Sequence, residues 1–408
     1  MRFFFLIILL IIACSSSSDS SPTQPEIQIT TSEHYIEVYQ EKTFDLVAGI
    51  SEGSLNFSLL TQPSYGNVTL SGSKLTYRPN NGFVGNDSFI VKATVGSSSK
   101  DIPIFLSVFD NPYKSQFLTV KDSLEIGLYG DKKNEIKFTV DYEGIQREFI
   151  LIIPKNLSSY NKNNLPVVIH LHGNTQTGNS VYSNHGSVIR NAKELKFYYV
   201  IPSGLKSIVN GGTDNETTMT GWNAHFPGFN TEYDDSGFLK ALINYLHDNH
   251  SISHEKIYLT GFSSGAHFAY TAANENILID GIQVFGGWMN KYNNWVFNQP
   301  LRAQHYHGTN DHVYYYEYDD HYGGENSIKE IARMKNCQSS SQYPLDDVNN
   351  NGFNDTTFFS YGDCNDGSVL QHFRLENEVH VSSTSVTRND ISSLTEFFNF
   401  FGLGEPIY

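Results

Sequence analysis

Two adjacent serines stand between two glycines in GFSSG, Gly261 to Gly265. The spacing Gly-x-Ser-x-Gly singles out Ser263 as the residue able to attack an acyl carbon, with Ser264 as its neighbour. A serine hydroxyl is a weak nucleophile until a histidine takes its proton and a carboxylate orients that histidine. In strand–turn–helix sites of this type the acid and then the histidine follow the serine along the chain. HYHGTND places Asp311 just past an apolar run, while the competing carboxylates Glu317, Asp319 and Asp320 lie deeper in the following segment. His380 is the expected base: it lies in LENEVHVSS, past the last strand-like run, where a loop can carry an imidazole back over the serine. His372 sits inside VLQHFRL, where alternation points it to one face of a sheet; His312 and His321 are the remaining candidates.

The tetrahedral intermediate of acyl transfer carries an oxyanion that needs backbone donors. Ser264 supplies one N–H at a helix start. The other is expected from HLHGNTQTG, where Gly173 lets the backbone come close; Asn174 is the first choice and Thr175 the second, and Thr175 is also expected beside substrate. His172 is expected to buttress this loop rather than move protons. Trp222, in the GWN of a glycine- and threonine-rich stretch, is a candidate for the acyl or alcohol pocket, the other reading being a packing aromatic.

These residues need a rigid frame. KIYLTG reads as a strand and SGAHFAYTAANEN as a helix, which puts Ser263 on the turn between them. Around this pair run REFILIIPKN, LPVVIHLHG, FYYVIPSG, GIQVFGG, LRAQHYHG and SVLQHFRLEN as strands. Val181 to Leu195, Asp234 to His250 and DISSLTEFFNFF read as helices. Such alternation implies a doubly wound, mostly parallel sheet covered on both faces, an α/β class. Upstream, residues 26–110 hold short alternating runs such as LNFSLL, GNVTLSG and DSFIVKATV, broken by turn residues at intervals near ten, the pattern of an all-β sandwich.

The chain of 408 residues begins Met1-Arg2 and then FFFLIILLIIA, too short to span a bilayer and built like a signal peptide. Cys14 after small Ala13 resembles a bacterial lipobox, so the expected order is a signal over residues 1–13 and a polar tether over residues 14–25. The 26–110 sandwich and a larger unit over residues 111–408 would follow. Lipid on Cys14 would be the only membrane contact of an exported lipoprotein at the outer membrane, on the cell surface or the periplasmic face. Of three Cys, this leaves Cys337 and Cys364 as an even pair suggesting a disulfide. A formal charge of −16 argues against nucleic acid as a partner.

The succession REFILIIPKN, LPVVIHLHG, FYYVIPSG, GWN, DDSGFL, KIYLTGFSSGAH, HYHGTND and VLQHFRLENEVH resembles secreted feruloyl and acetyl-xylan esterases and the related polyhydroxybutyrate depolymerases, of α/β-hydrolase fold. The likeness covers about Glu148 to Phe401. It implies an ester hydrolase needing no cofactor, with Ser263, Asp311 and His380 as the triad and Cys337–Cys364 as a bridge near the histidine loop. It also implies polysaccharide acetyl or feruloyl esters as substrate, with polyester the alternative. The family often has a small residue or Cys where Asn174 stands, and usually glycines and Trp-Pro around the His, where this chain has Asn377, Glu378, Val379, Val381 and Ser382. PSYGNVTLSGSKLTYRPNNGFVGNDSFIVKATV resembles the cadherin-like and Ig-like repeats of bacterial surface proteins. A non-catalytic glycan-binding adhesin is the reading from another class, and the complete Ser263, Asp311 and His380 set argues against it. Asp347, Asn349, Asn351 and Gly352 are spaced like a calcium loop, but Phe358 holds the closing position where Glu belongs, so a metal-free polar loop is expected.

Overall fold

A computed structural model describes residues 27–29, 33–37, 42–46, 48–50, 54–80, 83, 85–109, 117–155, 157, 165–209, 217–225, 233–250, 252–275, 279–291, 293–316, 322–346, 355–380 and 393–404. The chain divides into two compact units, Met1–Asp110 and Asn111–Tyr408.

In the first unit all described elements are strands: β1 (Ile27–Ile29), β2 (Glu33–Glu37), β3 (Lys42–Asp45), β4 (Ala48–Ile50), β5 (Asn56–Leu59), β6 (Gly66–Ser71), β7 (Lys74–Pro79), β8 (Gly85–Val95) and β9 (Ser98–Phe109). A four-stranded sheet, β2-β9-β8-β5, and a three-stranded sheet, β3-β7-β6, share one core. The period of two explains it: Phe89, Val91, Ala93 and Val95 of β8 and Ile102, Ile104, Leu106 and Val108 of β9 all point inward. Buried Asp87 is satisfied by the N–H groups of Ser64 and Tyr65, both at 2.9 Å, and by the Tyr77 hydroxyl at 2.8 Å.

The second unit opens with β10 (Thr119–Glu125), β11 (Glu135–Tyr142), β12 (Ile145–Ile152) and β13 (Leu165–Leu171). Then come α1 (Gly178–Asn184), α2 (Gly186–Leu195), β14 (Tyr198–Pro202), β15 (Leu205–Val209), β16 (Thr217–Gly221) and α3 (Asp235–His250). The site-bearing half follows: β17 (Ile252–Phe262), α4 (Ser264–Glu275), β18 (Gly281–Phe285), β19 (Arg302–Gly308) and α5 (Gly324–Met334). It closes with β20 (Ser339–Pro344), β21 (Thr356–Gly362), β22 (Val369–Leu375) and α6 (Ser393–Phe401). Eleven strands form one sheet in the order β10-β11-β12-β14-β13-β17-β18-β19-β22-β21-β20.

The sheet is mixed rather than mostly parallel. Only the central run from β14 to β22 is parallel, and both edges are antiparallel. At one edge β11 and β12 are joined by the short turn at Glu143–Gly144, and a short turn can only reverse the chain. The stretch expected as one helix from Val181 to Leu195 is two. It breaks at His185, the last cap of α1, and α2 restarts at Gly186, where a Cβ would stand 2.4 Å from the Tyr129 ring. On one face α6 packs Phe397, Phe398, Phe400 and Phe401 against Ile189, Phe197 and Tyr258.

Cys337 and Cys364 are bridged. The bridge ties the end of α5 to the turn before β22, at the sheet's amino edge. Strand β22 runs from there toward His380, so about 20 Å of strand rise separates bridge and histidine loop. The expected position near that loop is therefore corrected: Cys364 precedes the strand, and His380 follows it.

Candidate active site

Ser263 lies between the last residue of β17 and the first of α4, with φ of 56°, a left-handed conformation that costs a non-glycine residue strain. The turn is fixed on both sides. Ser263 N–H donates to Phe285 O of β18 at 2.9 Å, and Ser263 O accepts from Ala266 N at 2.9 Å. The flanking glycines are steric requirements: a Cβ on Gly265 would stand 2.1 Å from Leu171 O, and one on Gly261 would stand 2.4 Å from Gly265 O.

Asp311 follows β19 and His380 follows β22, and the parallel register of these strands, Gly308 opposite Leu375, carries both loops to the same edge. His380 Nδ1 donates to Asp311 Oδ2 at 2.7 Å. Asp311 Oδ1 accepts from the N–H groups of Val313 and Tyr314, both at 2.8 Å. Burial alone would raise the Asp311 pKa, but the bonds from His307, His380 and Tyr314 N–H outweigh it and hold the carboxyl well below its usual range. His380 Nε2 has no hydrogen-bond partner among the described residues, and the ring lies 4.8 Å from Phe262, the residue before the serine. The Tyr314 phenol faces the Ser263 hydroxyl, and its ring sits between His267 at 4.4 Å, Trp288 at 5.7 Å and His380 at 5.4 Å. Burial pushes that phenol up to about 12, so it stays protonated.

On the other side of β17, the end of β13 brings up the Gly173–Asn174 loop. A Cβ on Gly173 would come within 3.2 Å of the Ser263 Cβ. Thr175 N–H is engaged with Thr220 O at 2.9 Å, which leaves Asn174 N–H as the oxyanion candidate from this loop. Gly173 N–H donates to Gln176 Oε1 at 2.9 Å. His172 is a buttress. Its Nε2 accepts from Gly204 N–H and its Nδ1–H donates to Gly173 O, both at 2.8 Å, and burial lowers its pKa to about 4. Trp222 is 3% exposed, stacked on Phe268 at 5.3 Å with its Nε1 donating to His172 O, so it braces the loop from within. Ser264 Oγ is buried without a partner, which leaves its backbone N–H as the group of interest.

His372 is not at the site: it is fully buried in β22 and bonded through Nε2 to the Tyr316 hydroxyl at 2.8 Å. His312 is exposed. Glu317, Asp319, Asp320 and His321 lie outside the described residues, as do Cys14 and the calcium-like loop of Asp347, Asn349, Asn351 and Gly352, while Phe358 is in β21. Three partners were not legible as such: Gly308, His307 and the direct contact of Tyr314 with the serine. Beside Asp311 an open cavity of about 550 Å³ is lined by His312, Tyr315, Tyr316, Arg374 and Glu376 among others.

No family model matches the chain. A curated relative, the bifunctional acetylxylan esterase/xylanase of Neocallimastix patriciarum, is 24% identical over 268 residues, covering 65% of this chain and 35% of that protein. The chain thus matches about a third of the length of that relative. Among solved structures, an S-formylglutathione hydrolase from Agrobacterium tumefaciens is similar with a TM-score of 0.43 at 12% identity, over 70% of this chain and 100% of that one. A glucuronoyl esterase from Solibacter usitatus is similar with a TM-score of 0.41 at 9% identity, over 71% and 86%. The fold and site described above rest on this chain's own strand order and contacts.

Proposed function

We propose that the second unit is a serine hydrolase of carboxylic esters that works through an acyl-enzyme. The observation that carries this reading is His380: Nδ1 held by Asp311, Nε2 unpartnered, beside a serine on a strained elbow. In this reading the Ser263 hydroxyl passes its proton to His380 Nε2 and attacks the ester carbonyl. The N–H groups of Ser264 and Asn174 hold the oxyanion. Collapse breaks the carbon–alkoxy bond, and His380 returns the proton to the departing alcohol. Water then attacks the acyl-serine by the same route, regenerating Ser263 and releasing the acid. No cofactor takes part in these steps.

Acetyl or feruloyl esters on plant or algal polysaccharide are the substrates we favour. The acetylxylan esterase relative supports the acetyl choice, and the polar, aromatic-lined cavity beside Asp311 suits sugar rings. Thr175 lies beside the proposed oxyanion donor and is placed with substrate. The bridge at Cys337–Cys364 fits an oxidising, exported location, with Cys14 as the proposed lipid anchor. The first unit is proposed as an Ig- or cadherin-like spacer or docking module.

Ser263→Ala should keep the melting temperature and lose nearly all p-nitrophenyl acetate turnover, with Ser264→Ala as the active control; undiminished turnover in Ser263→Ala sinks the assignment. A panel of acetylated xylan, feruloylated arabinoxylan and amorphous polyhydroxybutyrate then tests substrate. Release of 3-hydroxybutyrate without acetate or ferulate would overturn the polysaccharide choice.

A further inference from the structure

Behind Asp311 lies a buried file of side chains that the steps above leave unused. On β19, His305 and His307 point to the same face and both are fully buried. His307 Nε2 lies 2.7 Å from Tyr314 O and 3.2 Å from Asp311 Oδ2. A carbonyl oxygen and a carboxylate can only accept, so Nε2 carries the proton; it donates to Tyr314 O and stands within ion-pair distance of Asp311 Oδ2. At the other ring nitrogen, His307 Nδ1 lies 3.3 Å from His305 Nε2 and 3.2 Å from Gly287 O. Burial drives the His305 pKa well down, with His372 and His307 adding to it, so His305 is neutral with one proton. Its Nδ1 contacts the Tyr270 hydroxyl at 3.1 Å. One direction of donation runs along the file, and it leaves Gly287 O without a proton from His307 Nδ1. Tyr270 donates to His305, His305 to His307, and His307 to Tyr314 O beside Asp311.

We propose that His307 is a positioning residue of the Ser263 site, clamping the Asp311 carboxylate and the Tyr314 main chain together so that the acid holds His380 in one orientation. An ionised carboxylate has about four acceptor sites. In Asp311, Oδ1 takes two backbone N–H groups, Oδ2 takes the His380 imidazole, and the His307 ring nitrogen stands 3.2 Å from Oδ2, so the group cannot rotate without losing a buried contact. The same Nε2–H satisfies the carbonyl of Tyr314, whose phenol meets the Ser263 hydroxyl. One imidazole thus ties the acid to the residue that touches the nucleophile. The other groups facing it are His305 on its own strand, His372 on β22, and the Tyr316 ring, edge-on at 5.6 Å. His380 lies across the carboxylate.

The role rests on the esterase reading, and the test separates the two. In the protein with His307→Phe, which keeps ring volume and loses the donor, kcat on p-nitrophenyl acetate should fall about tenfold with KM nearly unchanged. With that contact gone, the carboxylate orients His380 differently, so the pH profile of kcat/KM should depart from the parent's. His307→Gln, which can place an N–H near the Nε2 position, should recover most of the loss. A folded His307→Phe enzyme with the parent kcat and pH profile overturns the proposal, as does His307→Gln failing equally. If His307→Phe does not fold, ¹⁵N-histidine spectra of the unmodified protein decide: the His307 proton belongs on Nε2, and a proton on Nδ1 alone overturns the assignment. Retained turnover in Ser263→Ala would instead sink the esterase reading and leave that spectrum standing.

Discussion

The main-chain oxygen of Glu378 lies 2.2 Å from where a Cβ on Gly308 would stand, and that of Val379 lies at 2.4 Å. The histidine loop therefore rests directly on the end of β19, held by Asn310 N–H to Glu378 O at 2.9 Å and Asn377 N–H to Thr309 Oγ1 at 2.8 Å. This contact sets the distance from His380 to Asp311.

Gly308→Ala should push that loop off the strand. Labelling by a fluorophosphonate probe should slow by tenfold or more, because a displacement of about 1 Å at the reacting groups costs on that order or more. Far-ultraviolet circular dichroism should stay that of the parent. Parent-rate labelling in the folded variant would show that the loop does not need the contact.

Tyr314→Phe removes the phenol hydroxyl that faces Ser263 and can compete with His380 for its hydroxyl. One hydrogen bond of about 1 kcal/mol predicts probe labelling up to about fivefold faster. A fall of tenfold or more would make the phenol part of the chemistry instead.

Stability should decline in acid in two stages. Burial holds His172 at about 4 when folded, against 6.5 ordinarily, so between these values the unfolded chain binds a proton the native chain refuses. That contribution, about 3 kcal/mol, is present above pH 6.5 and lost as pH falls to 4. Buried His305 and His372 act in the same direction. Asp311, held below its usual range, adds stability above its unfolded value and loses it as pH falls further. Urea midpoints measured from pH 8 to pH 3 check this, and a flat profile down to pH 4 would contradict it.

Reducing the Cys337–Cys364 bridge should cost stability and spare activity. Its 27-residue separation corresponds to about 3 kcal/mol of loop entropy, and it lies at the edge of the sheet away from the serine. The double Cys→Ser protein should melt several degrees lower with the parent kcat at 25 °C. Loss of kcat before any loss of structure would place the bridge in control of the histidine loop after all.

Local sequence determined those parts of the protein that depend on near neighbours. The elbow was legible because Gly261, Ser263 and Gly265 sit between a strand pattern and a helix pattern, and their steric need is settled within a few residues and the strand beside them. The order Ser263, Asp311 and His380 on strand-end loops was legible from the strand pattern, and Cys337 and Cys364 were expected to pair. Tertiary structure decided everything that depends on register between distant strands. Asp311 and His380 are 69 residues apart, and only the pairing of β19 with β22 brings them to hydrogen-bond distance. The same register sets Gly308 under the histidine loop, and the fold of the Asp311 loop turns Tyr314 onto the serine. Alternation along β19 shows that His305 and His307 share a face, but not that this face lies beneath the acid. The bridge stands at the amino edge because Cys364 lies in the turn before β22, and its distance from His380 is a property of the strand's length and direction.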